Sequence, residues 1–186
     1  MVIVVTVTGG MRMRQFAETG VVAIDLANTW DAYLDDPERL PDVAALRRFR
    51  AELGEPEEAG GDLDAVRAVR GRLRAVLACD PPERTPALAR WASELPIRVT
   101  VADSEGTPRA RLTAPDGASV ADRLAVRAVA ELLDIAASGG WERLRLCAAR
   151  PCQDAFVDRS RPGRRQFCST RCANRAHATA SRARRR

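Results

Sequence analysis

Cys147-Ala148-Ala149-Arg150-Pro151-Cys152, followed fifteen residues later by Cys168-Ser169-Thr170-Arg171-Cys172, decides how the C-terminal quarter of this 186-residue chain folds. Zinc takes four soft or borderline ligands at tetrahedral corners, with each thiolate about 2.3 Å away. Two close pairs separated by a hairpin-length insert meet that demand. Pro151 sets a turn that points the first two sulfurs one way. Cys168 and Cys172 lie four apart, one helical turn, and so share a face. Phe156-Val157 and Gln166-Phe167 read as short strand arms around a turn at Gly163. Only Phe156, Val157 and Phe167 are sizeable apolar residues here, too few for a core without metal. Four cysteines leave no coordination position open to water, so one structural Zn2+ is expected, held by Cys147, Cys152, Cys168 and Cys172. Neither pair has the two-residue spacing of a redox motif.

Knuckle, hairpin and helix together resemble a treble-clef finger. The helix after the second pair, Ser169 to Arg186, carries Ala, Ser and Thr between its arginines and almost no bulky apolar residue. It cannot be a core helix. Small side chains let its backbone approach a groove, and arginines reach phosphate oxygens or guanine edges. Arg171, Asn174, Arg175, His177, Arg182, Arg184 and Arg185 on the helix are the candidate nucleic-acid contacts, with Arg159, Arg161, Arg164 and Arg165 on the insert. His177 is the only histidine, and four thiolates already complete the site without it.

Charge divides the chain. Eleven arginines against Asp154 and Asp158 give residues 147–186 a net +9, and because the whole chain is +5, residues 1–146 carry −4. A cationic module on an acidic to neutral body points to a polyanionic partner, duplex DNA first and RNA second. Residues 1–7 carry no basic flank and no convincing cleavage site, so a cytoplasmic protein is expected. In such a chain an odd count of five cysteines argues against a disulfide framework. Cys79 stands apart and reads as a small buried hydrophobe. No apolar run is long enough to span a membrane.

The body reads as α+β, several helices around a small antiparallel sheet. Residues 1–19 form a strand or a loosely attached extension. Val21 to Thr29 is either a buried strand or the start of a helix, with Asp25 and Asn28 inside it as a candidate body site. Their expected role is an Asx turn or buried hydrogen bond, with ligand sensing as the sharper alternative. Helices are expected over 41–53, from Asp62 to the Pro81-Pro82 stop, from Thr85 through Leu95, and over 119–137. Glu55–Gly61 is a linker. Arg67, Arg70, Arg72 and Arg74 read as a solvated helix face. Residues 97–101 and 109–113 flank a polar stretch with Gly106 and Pro108, a β-hairpin signal, and Trp141 to Leu146 alternates like a strand.

With these residues in view, the C-terminal segment resembles the CGNR zinc finger. The signature runs through Cys147, Cys152, Phe156-Val157-Asp158-Arg159, Arg165-Gln166-Phe167-Cys168 and Cys172-Ala173-Asn174-Arg175. Ala173 stands where that family carries Gly. The body, residues 20–140, resembles the ABATE domain that accompanies this finger, its opening motif being Ile24-Asp25-Leu26-Ala27-Asn28-Thr29. Residues 141–186 then form the finger. The resemblance implies a bacterial, stress-induced transcriptional regulator that binds DNA; the single histidine and the carboxylate-poor finger argue separately that it is not an enzyme. The body would sense an unknown small-molecule effector, form a homodimer, or both. An RNA- or ribosome-associated zinc protein and a protein–protein adaptor are the rivals. A nuclease needs His or carboxylate ligands around a further catalytic metal, and the finger has few.

Overall fold

A computed structural model describes residues 16, 18–55 and 61–185. Of the extension expected over residues 1–19, residues 1–15 and 17 lie outside the described residues, as does the middle of the Glu55–Gly61 linker. Phe16, assigned above to the loose extension, is buried and meets the Phe49 ring edge-on at 6.2 Å between centroids.

The segment whose periodicity was ambiguous is a helix. α1 spans Val22–Ala27, and all six of its residues are buried. Such a short helix, apolar except for Asp25, survives because neighbours surround it. α2 (Val43–Glu52) starts at Asp42, whose carboxylate accepts from Ala45 N at 2.7 Å, and stops at Leu53 before Gly54 with φ 72°. Val43, expected on the apolar side, is exposed, while Ala45, Leu46 and Phe49 enter the core. α3 (Leu63–Ala78) is capped by Asp62 in the same manner.

The arginine stripe on α3 departs from expectation. Arg70 is buried and forms a two-pronged pair with Glu38 at 2.7 and 2.6 Å. Arg67 donates to the Leu40 carbonyl, and Arg74 joins the Ala27 carbonyl to Gln153. Of the four, only Arg72 is well exposed, paired at the surface with Glu94. The guanidinium groups reach carbonyls and a carboxylate far along the chain, which a helical wheel cannot reveal.

Pro81-Pro82 opens a helix instead of ending one. α4 runs Pro81–Ser93 with both prolines in its first turn, where their missing N–H groups are not needed. Pro86, taken as the helix start, lies inside it. β1 (Arg98–Ser104) and β2 (Thr107–Thr113) pair antiparallel through a two-residue turn, Glu105-Gly106, with φ 55° and 78°. Both positive values fit a type I′ hairpin turn. Pro108, expected in the loop, sits in β2 opposite Asp103, tolerated because each strand of a two-stranded ribbon is an edge.

α5 (Val120–Ala137), capped by Ser119, is the spine of the body: Leu124, Ala125, Ala128, Val129 and Leu132 are buried along it. The helices therefore pack on α5 and α1, and the β1–β2 ribbon lies to one side against α5. The body is α+β as expected, mostly helical with a small antiparallel sheet, but the sheet lies beside the helices and not at their centre. At Gly140 a Cβ would come within 2.9 Å of the Ile135 carbonyl oxygen, so the exit from α5 requires glycine. Trp141–Arg143 is a single 3₁₀ turn, and only Leu144–Leu146 is strand, β3. β3 pairs antiparallel with β4 (Ala155–Val157), and α6 (Thr170–Arg184) follows. Leu144 and Ala155 belong to the same buried cluster as the body helices. The cysteine module is thus docked on the body through a shared core. Among the described residues, no helix is long and apolar enough to cross a membrane.

Candidate metal centre and cationic helix

Four thiols converge where β3, β4 and α6 meet. One ligand atom from each of Cys147, Cys152, Cys168 and Cys172 can be chosen so that all lie within 4.8 Å of one another. Cys152 Sγ to Cys168 Sγ is 3.7 Å, and Cys168 Sγ to Cys172 Sγ is 3.5 Å. A tetrahedron with zinc–sulfur bonds of about 2.3 Å has edges of about 3.8 Å. The cluster has the size and donor set to hold one zinc ion, and four thiolates fill its coordination sphere.

Backbone geometry places each sulfur. Cys147 N donates to the Asp154 carbonyl at 2.9 Å, closing the loop between the first two cysteines. The Ser169 hydroxyl accepts from Cys172 N at 3.2 Å as the N-cap of α6, which holds Cys172 on the helix face toward Cys168. Cys168 N points at Cys147 Sγ at 3.4 Å, a donor that would stabilise the thiolate there. Burial pushes the free Cys168 thiol up to about 12 and also raises that of Cys152, so without metal these thiols keep their protons. Burial also opposes the Cys172 thiolate, but hydrogen bonds from Ser169 and the neighbouring thiols outweigh it and lower its pKa. A divalent cation displaces such protons and releases them on binding.

The insert is not the hairpin that the sequence suggested. Phe156 and Val157 belong to β4, whose partner is β3 upstream of Cys147, and Gln166-Phe167 is not a strand. Residues 159–167 form a loop organised by Asp158. Its carboxylate accepts from Ser160 N at 2.9 Å, Ser160 Oγ at 2.6 Å and Arg165 N at 2.7 Å. The Ser160 hydroxyl bond, aided by the Arg165 and Ser160 amides, holds this carboxyl down at about 2. Asp158 thus orders the loop through two backbone amides and a hydroxyl, while Arg175 lies on the Tyr33 ring.

Two arginines that sequence reasoning passed over complete the loop. Arg143 donates to the Asp158 and Ser160 carbonyls, and Arg145 to the Gly163 carbonyl at 3.0 Å. Their alternation in the Trp141–Leu146 segment was legible, but carbonyl capping leaves no mark in a sequence. Tyr33 was also missed. Its hydroxyl is 4.0 Å from Cys172 Sγ, and the Arg175 guanidinium stacks on its ring at 3.8 Å from the centroid. Burial, with the Cys172 sulfur beside it, pushes the Tyr33 hydroxyl up to about 12. It is the only tyrosine in the chain, set in an aspartate-rich loop, and that isolation was the available signal.

The body candidates take structural positions. Asp25 is buried and accepts from Thr19 N, Thr19 Oγ1 and Gly20 N at 3.0, 2.8 and 2.8 Å. Burial nevertheless raises its pKa above the ordinary carboxylate value. Asn28 pairs with the Ala155 backbone in both directions, fixing β4 to the body. Cys79, expected to be buried, is only half-buried, its Sγ against the Ala75 carbonyl at 3.3 Å.

The candidate nucleic-acid residues fall into two sets. Arg159, Arg161, Arg164, Arg171, Asn174, Arg184 and Arg185 are exposed, and no side-chain partner is present among the described residues. Arg182 is also exposed and contacts only Thr179. The other set is engaged within the fold. Arg165 donates to the Phe167 and Cys168 carbonyls at 2.8 and 2.6 Å, and Arg175 lies on Tyr33. His177 is exposed beside Phe167, with ring centroids 5.9 Å apart, and is not part of the thiol cluster.

A zinc-binding finger docked on a helical body is the class of protein that this fold and site define. The model of the CGNR zinc finger family matches residues 143–185, and that of the ABATE family, described as "Putative stress-induced transcription regulator", matches residues 20–139. The chain belongs to the ABATE family and carries a CGNR zinc finger. No curated protein matches the chain.

Proposed function

We propose that this protein is a bacterial transcriptional regulator that binds duplex DNA through α6 and the loop over residues 159–165, and that it is not an enzyme. One observation carries the reading: α6 extends past its single buried residue, Cys172, as an exposed helix whose side chains are small or cationic. On a 3.6-residue period, Arg171, Asn174, Ala178, Arg182 and Arg185 share one side of it. An α-helix fits the DNA major groove, and alanine there permits close approach. Arg159, Arg161 and Arg164 on the loop stand ready for flanking phosphates. The zinc cluster fixes the start of α6, and the body supplies a sensor or dimerisation surface. Such a protein works in the cytoplasm, at the nucleoid.

Fluorescence anisotropy with a labelled duplex over a range of salt tests this reading. Neutralising roughly five phosphates gives a log–log salt slope of about −4 to −5. Replacing Arg171 and Arg182 by Gln should make the slope shallower by about two. Competition by structured RNA at equal salt distinguishes DNA from RNA as the preferred partner. An affinity indifferent to both arginines points instead to a protein-docking finger. Magnesium-dependent cleavage of the duplex would show catalysis and contradict the reading.

A further inference from the structure

A cavity of about 420 Å³ opens along the seam between body and finger. This falls within the range of small-molecule sites, about 300–1,000 Å³. Its body wall carries Glu18, Thr19, Asp31 and Asn28; its finger wall carries Arg171, Ser169 and Asp154. Tyr33, Leu34 and Phe156 add an apolar surface. The body wall offers the carboxylates of Glu18 and Asp31; the finger wall offers the Arg171 guanidinium, while its own carboxylate, Asp154, lies 3.7 Å from Cys168 Sγ. Neither Glu18 nor Arg171 has a partner among the described residues. Asp31 accepts from Tyr33 N at 2.9 Å through one carboxylate oxygen, and the other has no partner among the described residues. Arg175, the second cation on the lining, is occupied by the Tyr33 ring.

We propose that this seam binds a small zwitterion of the α-amino-acid class, with its ammonium at Glu18 and Asp31, its carboxylate at Arg171, and its side chain against Leu34 and Phe156. A lone amine or a lone acid satisfies one wall and leaves the other unmatched. A zwitterion satisfies both and joins the body to α6. Because Cys168, Cys172 and Arg175 also line the cavity, the occupant bears directly on the start of the cationic helix. This makes the seam the effector site, in place of Asp25, whose carboxylate is already taken up by Thr19 and Gly20.

The test uses the zinc-loaded full chain without DNA, so its outcome is independent of the DNA-binding reading. Thermal shifts with each of the twenty common L-amino acids, followed by calorimetry, should find saturable binding in the millimolar range or tighter. L-Phenylalanine is the first probe, compared with phenethylamine and 3-phenylpropionate as its two halves. Each half should bind about tenfold more weakly, the loss expected when one charged hydrogen-bonding partner is missing. Glu18→Gln should weaken phenylalanine and the amine while sparing the acid, and Arg171→Ala should weaken phenylalanine and the acid while sparing the amine. Zinc content and the melting midpoint verify that both variants fold. Absence of saturable binding by any amino acid, equal binding of the halves, or wild-type affinity in both variants overturns the proposal.

Discussion

The carboxamide of Asn28 donates to the Ala155 carbonyl at 3.1 Å and accepts from the Ala155 amide at 2.8 Å, so one side chain of the body completes the backbone bonding of a finger strand. Asn28 follows α1, which the core encloses, and Ala155 starts β4, three residues after a zinc-ligating cysteine. Metal site and hydrophobic core are therefore linked through a pair of hydrogen bonds and through the shared burial of Leu144 and Ala155.

Replacing Asn28 by Ala removes both bonds and leaves two backbone groups of Ala155 without partners. A loss of about 2–4 kcal/mol is expected from two such hydrogen bonds. Denaturant unfolding measures it, with native mass spectrometry showing one zinc ion still bound. An unchanged midpoint would mean that body and finger are not joined at this point.

Arg70 and Glu38 form the next test. Removing one member of a buried pair costs about 3–5 kcal/mol where the other charge is left uncompensated. Here Arg67 Nε, 3.4 Å from Glu38, offsets part of that loss. Arg70→Met should approach that range, and an Arg70→Met, Glu38→Gln double variant should recover part of it. Burial raises the Glu38 pKa, but the Arg70 bonds outweigh this and hold it below the ordinary glutamate value. Its contribution is thus complete above its unfolded pKa of about 4.3 and is lost as pH falls through the depressed folded value. Asp25 and Glu131, both raised by burial, act with opposite sign: they favour the fold at low pH and lose that contribution as pH rises through their folded values. Glu38→Gln should therefore flatten the acid limb of stability against pH. An acid limb identical to that of the wild type contradicts the assignment.

Much of this architecture was legible. Asp62 and Ser119 announced their helices because a capping side chain acts on amides two or three residues away, a local interaction that a sequence displays. The four zinc ligands were legible for the same reason, since spacing alone brings each pair together. Long-range partners were not. Arg70 looked like surface because Glu38 is 32 residues away, and Phe156 was assigned to the wrong hairpin because the competing strand lies before the first cysteine. Pro81-Pro82 misled because a proline pair can follow one helix or open the next, and here, after α3 ends at Ala78, both fall in the first turn of α4. Tyr33 and the seam cavity arise from packing of body against finger, which has no counterpart in local spacing.

Tyr33 and Arg175 supply a prediction for the helix. Cation–π contacts contribute about 0.5–2 kcal/mol. Tyr33→Ala should raise hydrogen exchange through the first turns of α6 while zinc stays bound; Tyr33→Phe, which retains the ring, should leave exchange close to wild type. Equal exchange in all three proteins would show that Arg175 does not depend on the ring.

Cys79 serves as the internal control among the thiols. Its sulfur lies outside the metal cluster, half-buried at the end of α3. Cys79→Ser should leave one zinc per chain and alter stability by less than about 1 kcal/mol. Loss of zinc in this variant would assign the ligands differently.

The most direct measurement combines native mass spectrometry with hydrogen exchange over residues 147–185, before and after chelation. One zinc ion per chain is predicted, with slow exchange in β4 and the first turns of α6 that becomes fast once the metal is removed. A chain without stoichiometric zinc, or one whose finger remains equally protected after chelation, contradicts the account.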